Sequence, residues 1–133
     1  MDLIEHYNLH NHFGVHNNLE LKVLGEGKIE YSMLLEKKHF ATDNLIHGGA
    51  LAGFMDAILS VAAFSSVAAQ KQKVATIEFK INYLRPVVRE MKIRGLGTVV
   101  KKGKRIINVQ GEIFDDENKL VATGSGSIIP IDV

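Results

Sequence analysis

The sequence predicts a single α+β domain in which one long helix is enclosed by an antiparallel sheet of about six strands. The chain has 133 residues, the size of one ordinary domain, and no linker or repeat divides it. Residues 45–69 form an apolar run with one carboxylate, Asp56, and no Lys or Arg. The residues after this run alternate between apolar and polar, which is typical of strands. We therefore treat residues 1–133 as one domain.

The N-terminal part predicts short elements. Residues 1–18 are predicted to be an extension, with a short helix over Met1–Tyr7. Residues 18–35 contain β-favouring side chains on both sides of Gly25-Glu26-Gly27. This pattern predicts two strands joined by a turn.

The apolar run has three possible explanations: a membrane span, a buried core helix or a helix that carries a catalytic acid. Residues 49–69 are about long enough to cross a bilayer. However, an Asp deep in a span costs about 2.5–3.5 kcal/mol, and amphipathic strands surround the run. These observations favour a core helix that is apolar on most sides.

The second half predicts four strands. Residues 75–83 alternate strictly, so the pattern places Ala75, Ile77 and Phe79 on the core face and Thr76 on the opposite face. Pro86 ends this strand. Residues 91–114 predict a hairpin that turns near residues 102–104, and a last strand lies within residues 119–131.

Composition and charge limit the possible functions. The chain has no cysteine, so disulfides, thiolate metal sites and Cys nucleophiles are excluded, and a cytoplasmic location is expected. The N-terminus lacks the basic and apolar regions of a secretory signal. Residues 71–105 carry 11 Lys or Arg and 2 acids, which fits either an anionic partner or solvated strand faces. With few aromatic residues and no Trp, neither nucleic acid nor a membrane is an expected partner.

The start of the helix and its acid could together catalyse acyl transfer to water. Gly48 and Gly49 lie where the helix begins, and the free N–H groups there can bind an oxyanion. Asp56, eight residues after Gly48, could act as a base. Two turns of helix rise by about 12 Å, so one copy could not hold one carbonyl with both groups. Donor and base would meet only if a second subunit brought its own helix alongside.

Three features carry a resemblance to a known family: the His47-Gly48-Gly49 sequence, Asp56 nine residues after His47, and a T-x-E-x-x-x-x-Y-L-x-P strand from Thr76 to Pro86. Together they resemble the hotdog-fold acyl-CoA thioesterases of the phenylacetic-acid-degradation type, within the 4-hydroxybenzoyl-CoA thioesterase superfamily. The resemblance covers about residues 19–129 and implies a long helix wrapped by a curved sheet. It also implies homodimers with interfacial active sites, which often pair into homotetramers.

The resemblance further implies roles for individual residues. Asp56 would be the general base or the nucleophile, and the Gly48 N–H would polarise the thioester carbonyl. Thr76 would hold water or the carboxylate, and His47 would shape the loop or touch the thioester. No cofactor is implied, since CoA is part of the substrate. The expected substrate-binding residues are Asn44, Gly49, Arg85, Lys102 and Lys104, the last three as candidates for the CoA phosphates.

The sequence departs from the family pattern at two positions. Ala41 stands where the family usually has Asn or Gln, and Asn44 where it usually has Gly. Asn44 could replace that Gly by adopting a left-handed backbone. Ala41 has no hydrogen-bonding side chain, so a non-catalytic acyl-CoA binding protein is the alternative function. A thioester hydratase is less favoured, because the helix lacks a second acid or a His.

Ordinary structural roles compete with each site prediction. Asp56 could be a helix acid that pairs inside the core, Thr76 a typical strand residue, and the glycines close-packing positions. Histidines also cluster near the N-terminus, but the acids around them do not complete a metal site, so no metal is expected. The cluster comprises His6, His10, His12 and His16.

Overall fold

The computed structural model describes residues 2–133 and confirms the predicted α+β fold. The strands are β1 (Leu19–Gly25), β2 (Lys28–Leu34), β3 (Phe40–Thr42), β4 (Leu45–Ile46), β5 (Gln72–Tyr83), β6 (Lys92–Lys102), β7 (Ile107–Phe114) and β8 (Leu120–Asp132). Six of them form one antiparallel sheet in the order β1-β2-β6-β7-β8-β5. Strand β5 is therefore an edge strand.

Two short helices precede the sheet. Helix α1 (Leu3–His10) begins with a capping box, in which Asp2 accepts from the Glu5 N–H and Glu5 accepts from the Asp2 N–H. The predicted helix over Met1–Tyr7 was correct in type, but α1 runs to His10, and Met1 lies outside the described residues. A second helix, α2 (His12–His16), follows with Asn11 as its N-cap.

Helix α3 (Gly48–Val67) is the core of the domain. It packs against five of the six strands, namely β2, β5, β6, β7 and β8. A segment containing α3 is long and apolar enough to cross a membrane, yet 72% of its apolar window is buried inside the protein. The core-helix explanation of the apolar run is therefore confirmed.

Glycines on the sheet let α3 lie close to the strands. A Cβ at Gly97 would stand 2.7 Å from the backbone carbonyl oxygen of Ile58, and one at Gly111 would stand 2.7 Å from the Met55 sulfur. Such contacts are too short for any side chain. Small residues on β6 and β7 therefore fix the distance between sheet and helix.

The sequence pattern missed a small two-stranded ribbon. Strands β3 and β4 pair with each other and lead directly into α3. The Ile46 N–H donates to the Val87 carbonyl and the His47 N–H to the His39 carbonyl, both at 2.9 Å. These bonds anchor the chain where α3 begins. Strands of three and two residues are too short for an alternation pattern to reveal.

Candidate active site

Asp56 and Thr76 form the centre of the candidate site. Asp56 lies in the middle of α3 and is half-buried, as is Thr76 on β5. The Thr76 hydroxyl donates a hydrogen bond of 2.8 Å to the Asp56 carboxylate. One oxygen of the carboxylate is thereby held in place, and the chain offers a positioned base beside a strand edge.

A β-bulge on β5 explains this contact. Thr76 pairs with Ile128 and Glu78 with Ser127, so Ile77 is the extra residue between them. The prediction that Thr76 faces away from the core was wrong, because the alternation breaks at the bulge. Ile77, predicted to lie in the core, is instead 52% exposed. The bulge turns Thr76 toward α3.

The N-terminus of α3 presents one unoccupied donor. His47 is the N-cap, and its Nδ1 accepts a 2.8 Å hydrogen bond from the Gly49 N–H. The Gly48 N–H donates no hydrogen bond to any residue that the structure describes. The Gly48 carbonyl accepts a 2.8 Å hydrogen bond from the Tyr83 hydroxyl, which ties this turn to the end of β5. An oxyanion could therefore bind at the Gly48 N–H.

Donor and base are well separated within one chain. Gly48 and Asp56 lie eight residues apart on the same helix, a rise of about 12 Å. A single carbonyl group cannot contact both. Within one chain, the Gly48 N–H and the Asp56 carboxylate therefore do not form one site.

A cavity of about 510 Å³ adjoins Thr76. It is an open cavity lined by α1, by Asn11 and the start of α2, by α3, and by the start of β5. Its lining residues are Leu3, His6, Tyr7, His10, Asn11, His12, Ser60, Val61, Phe64, Lys73, Val74 and Thr76. Its volume falls within the range of about 300–1,000 Å³ that is typical of small-molecule sites.

Two further polar residues near the cavity were not predicted from the sequence. Ser60 is half-buried, lines the cavity and follows Asp56 by one helical turn. The spacing of four residues on a predicted helix could have revealed it. Tyr7 also lines the cavity; burial raises the pKa of its hydroxyl, and the Asp56 charge raises that pKa further. A neutral phenol therefore stands near the carboxylate.

The predicted substrate-binding residues lie in different places. Arg85 lines a hollow of about 310 Å³ together with Gly48 and Tyr83. Lys102 donates a 2.7 Å hydrogen bond to the Ser66 carbonyl at the other end of α3, and Lys104 follows it in the next turn. Within one chain, the structure therefore brings Arg85 to Gly48 and keeps both lysines away.

The loop before α3 differs from the expectation for Asn44. Asn44 and Ala41 line a hollow of about 530 Å³ between the β3–β4 ribbon and residues 88–90. The non-glycine residues with positive φ in the described chain are Asn18, Lys71 and Asn118. Asn44 is not among them, so the proposed left-handed replacement of a glycine was wrong. A tight two-stranded ribbon makes this turn without that conformation.

The N-terminal histidines do not form a metal centre in the part of the chain that the structure describes. Within residues 2–133, no three His, Cys, Asp or Glu residues are grouped closely enough to hold a metal ion. His6 and His10 stack with ring centroids 4.3 Å apart, and His10 Nδ1 lies 2.8 Å from the His6 carbonyl oxygen.

Comparison with known proteins matches this chain to a thioesterase family model, to a CoA-thioester hydrolase and to thioesterase structures. The family model described as "Thioesterase superfamily" matches residues 43–122. The 1,4-dihydroxy-2-naphthoyl-CoA hydrolase of Escherichia coli K12 is 29% identical over 103 residues, which cover 77% of this chain and 74% of that protein. A thioesterase structure from Haemophilus influenzae has a TM-score of 0.86 and 26% identity, covering 99% of this chain and 92% of the other.

A more distant likeness supports the fold alone. The E. coli PaaI protein from the phenylacetic acid degradation operon has a TM-score of 0.84 and 19% identity, covering 96% of this chain and 90% of the other. The central helix and its antiparallel sheet are thus shared across sequences that have diverged widely.

Proposed function

The chain belongs to the thioesterase superfamily, and on this basis we propose that it hydrolyses acyl-CoA thioesters to a free acid and CoA. Family membership supports a thioester hydrolase in general. The specific proposal rests on Asp56, whose carboxylate is held by Thr76 at 2.8 Å beside a cavity large enough for an acyl group.

Each group has a defined task in the proposed reaction. Asp56 takes a proton from water, which attacks the thioester carbonyl, or it attacks the carbonyl itself and the resulting anhydride is hydrolysed. The Gly48 N–H, at the positive end of the α3 dipole, stabilises the oxyanion. Collapse of the tetrahedral intermediate breaks the C–S bond and releases the CoA thiolate. His47 fixes the turn that presents Gly48.

A second copy of the chain would supply the missing donor. Strand β5 has 12 residues and only β8 as a neighbour, so one edge is free to pair. Along the sequence of β5, Thr76 and Tyr83 lie equally many residues from the midpoint between Phe79 and Lys80. Antiparallel pairing of two β5 strands about that point would set the Tyr83 of one copy opposite the Thr76 of the other. Because Tyr83 holds Gly48, the oxyanion donor would then approach the other copy's Asp56.

The CoA moiety would lie outside the acyl cavity. We assign Arg85 to a phosphate, because it shares a hollow with Gly48. Asn44, in the turn before β4, and Gly49, in the first turn of α3, are both exposed and would border the thioester and the pantetheine arm. Lys102 and Lys104 lie at the far end of α3 and could reach the nucleotide only from the partner copy.

Replacement of Asp56 tests the chemistry. We expect Asp56→Asn to lower kcat for CoA release by about 10²–10⁴-fold while the protein remains folded. The assay follows thiol release from a panel of acyl-CoA thioesters, with circular dichroism as the fold control. Asp132→Asn removes an exposed carboxylate on β8 and is the matched control. Full activity in a folded Asp56→Asn protein would refute the proposal.

A mixing experiment tests the shared site. Gly48→Pro removes the donor N–H at a position where Pro suits a helix start, and His47, with ψ of 128°, already has the backbone that precedes Pro. We expect Gly48→Pro and Asp56→Ala each to be inactive. After subunit exchange at equal amounts they should recover about a quarter of wild-type activity, because half of the dimers are mixed and each has one intact site. Gly48→Ala keeps the N–H and controls for the added Cβ.

Ala41 favours one alternative, a non-catalytic acyl-CoA binding protein. Ala41 supplies no amide to hold a water or carbonyl in the hollow before α3. Tight binding of acyl-CoA by calorimetry, without thiol release across the same substrate panel, would establish that function instead.

A further inference from the structure

The rim of the acyl cavity is rich in nitrogen donors. His6, His10 and His12 come from the N-terminal segment, and Lys73 comes from the start of β5. No Asp or Glu lines the cavity among the described residues, and Lys73 forms no salt bridge with any of them. Asp56 does not line the cavity but accepts a hydrogen bond from Thr76, which does. The rim therefore carries the positive charge of Lys73 together with three imidazole rings, and no described carboxylate forms a salt bridge with that lysine.

The inner walls are different in character. Leu3, Val61, Phe64 and Val74 provide apolar surface between the rim and Thr76. On α1, the lining residues Leu3, His6, Tyr7 and His10 have the spacing of a single helix face. A bound acyl chain would thus extend from the Asp56–Thr76 pair, along the apolar walls, to the rim that carries Lys73 and the histidines.

The length of the cavity can be estimated from β5. Thr76 and Lys73 are three residues apart on the strand, which corresponds to about 10 Å. An acyl chain that starts at the Asp56–Thr76 pair would end at the level of Lys73, whose Cβ lies on the other face of β5 and whose side chain would reach the cavity around the strand edge. A neutral chain end there would displace water from the ammonium without replacing its hydrogen bonds.

We propose that the preferred acyl group ends in a carboxylate, so that the substrate is the half-thioester of a dicarboxylic acid. This inference rests on the proposed thioester hydrolysis and specifies its substrate class. The distal carboxylate would pair with Lys73 and accept hydrogen bonds from His6 and His10, while the chain packs on the apolar walls. Water adds to the thioester carbonyl, the C–S bond breaks, and the products are a dicarboxylate and CoA thiol.

Matched substrates test this specificity. Adipoyl-CoA and hexanoyl-CoA have the same chain length and differ in the terminal carboxylate. For the wild-type protein we expect kcat/KM to be about tenfold or more higher for adipoyl-CoA, the effect of one charge-assisted hydrogen bond. Lys73→Met should reduce this ratio by about tenfold. Lys28→Met, which replaces an exposed lysine of β2 outside the cavity and away from β5, should leave the ratio intact.

Binding measurements keep this test separate from that of catalysis. Non-hydrolysable thioether analogues of the two substrates are titrated into wild-type and Lys73→Met protein by calorimetry. Tighter binding of the adipoyl analogue, lost in Lys73→Met, supports the proposal even if neither thioester is hydrolysed. Equal binding of the analogues, or a preference that survives Lys73→Met, would overturn it.

Discussion

The hydrogen bond between Thr76 and Asp56 gives the sharpest test of the site geometry. Thr76→Val deletes the hydroxyl but keeps a β-branched side chain of nearly the same size, so neither strand propensity nor packing volume changes much. A hydrogen bond to a charged group contributes about 1.5–3 kcal/mol. Asp56 is half-buried, so water can partly replace the lost donor and the lower figure applies. Each 1.36 kcal/mol is a factor of ten in rate. We therefore expect kcat to fall by about tenfold.

The matched control is Thr76→Ser, which keeps the hydroxyl and should retain most of the activity. Thiol release is measured under saturating acyl-CoA for wild type, Thr76→Val and Thr76→Ser, with urea unfolding to compare stability. Equal kcat in the Val and Ser variants would mean that the hydroxyl does not position the base. A large stability loss in Thr76→Val alone would assign Thr76 a structural role.

Three further predictions concern the fold. Gly97→Ala should destabilise the domain by about 1–3 kcal/mol in urea unfolding, because the added Cβ would meet the Ile58 carbonyl oxygen. Gly25→Ala is the control and should have no such effect, because no atom lies within 4 Å of the position of its Cβ. Burial lowers the pKa of His39, and the charge of Lys38 lowers it further. The unfolded chain therefore binds more protons, so the free energy of unfolding should fall as the pH drops below about 6.5. This fall should be absent in His39→Gln. The Tyr31 hydroxyl is buried and makes no hydrogen bond of normal geometry, although Tyr7 and Asn11 lie beside it. Tyr31→Phe should therefore change the melting temperature little; a clear drop would show that one of these neighbours bonds to the hydroxyl.

The long helix and the long strands were predictable because many residues in each of them follow the same periodic pattern. The apolar run of residues 45–69 indicated α3 to within two residues at its C-terminal end. The alternation after it indicated β5, although the strand begins earlier, at Gln72. In both elements a single atypical residue cannot mask the pattern. The signal for the sheet and its enclosed helix is therefore distributed and robust.

The bulge at Ile77 was not predictable by the same reasoning. A bulge adds one residue to one strand, and its signature depends on the partner strand β8 rather than on the local sequence. The strict alternation of residues 75–83 is equally compatible with a regular strand, in which Thr76 would face away from the helix. The most informative side-chain contact of the site therefore depended on pairing between segments about 50 residues apart.

The position of Asp56 in an apolar helix follows from how α3 is surrounded. The sheet covers α3 on most sides, and its less buried positions among residues 51–60 fall on one stripe: Ala52, Gly53, Asp56 and Ser60. These residues have the spacing of one helix face and are all small or polar. The Phe13 ring covers Gly53 so closely that a Cβ there would lie 2.9 Å from its edge. The acid therefore lies on the face of α3 that the sheet leaves open, which explains how a buried helix can carry a partly exposed carboxylate. An acid moved one position along, to Met55 or Ala57, would be buried and would lose both Thr76 and contact with solvent.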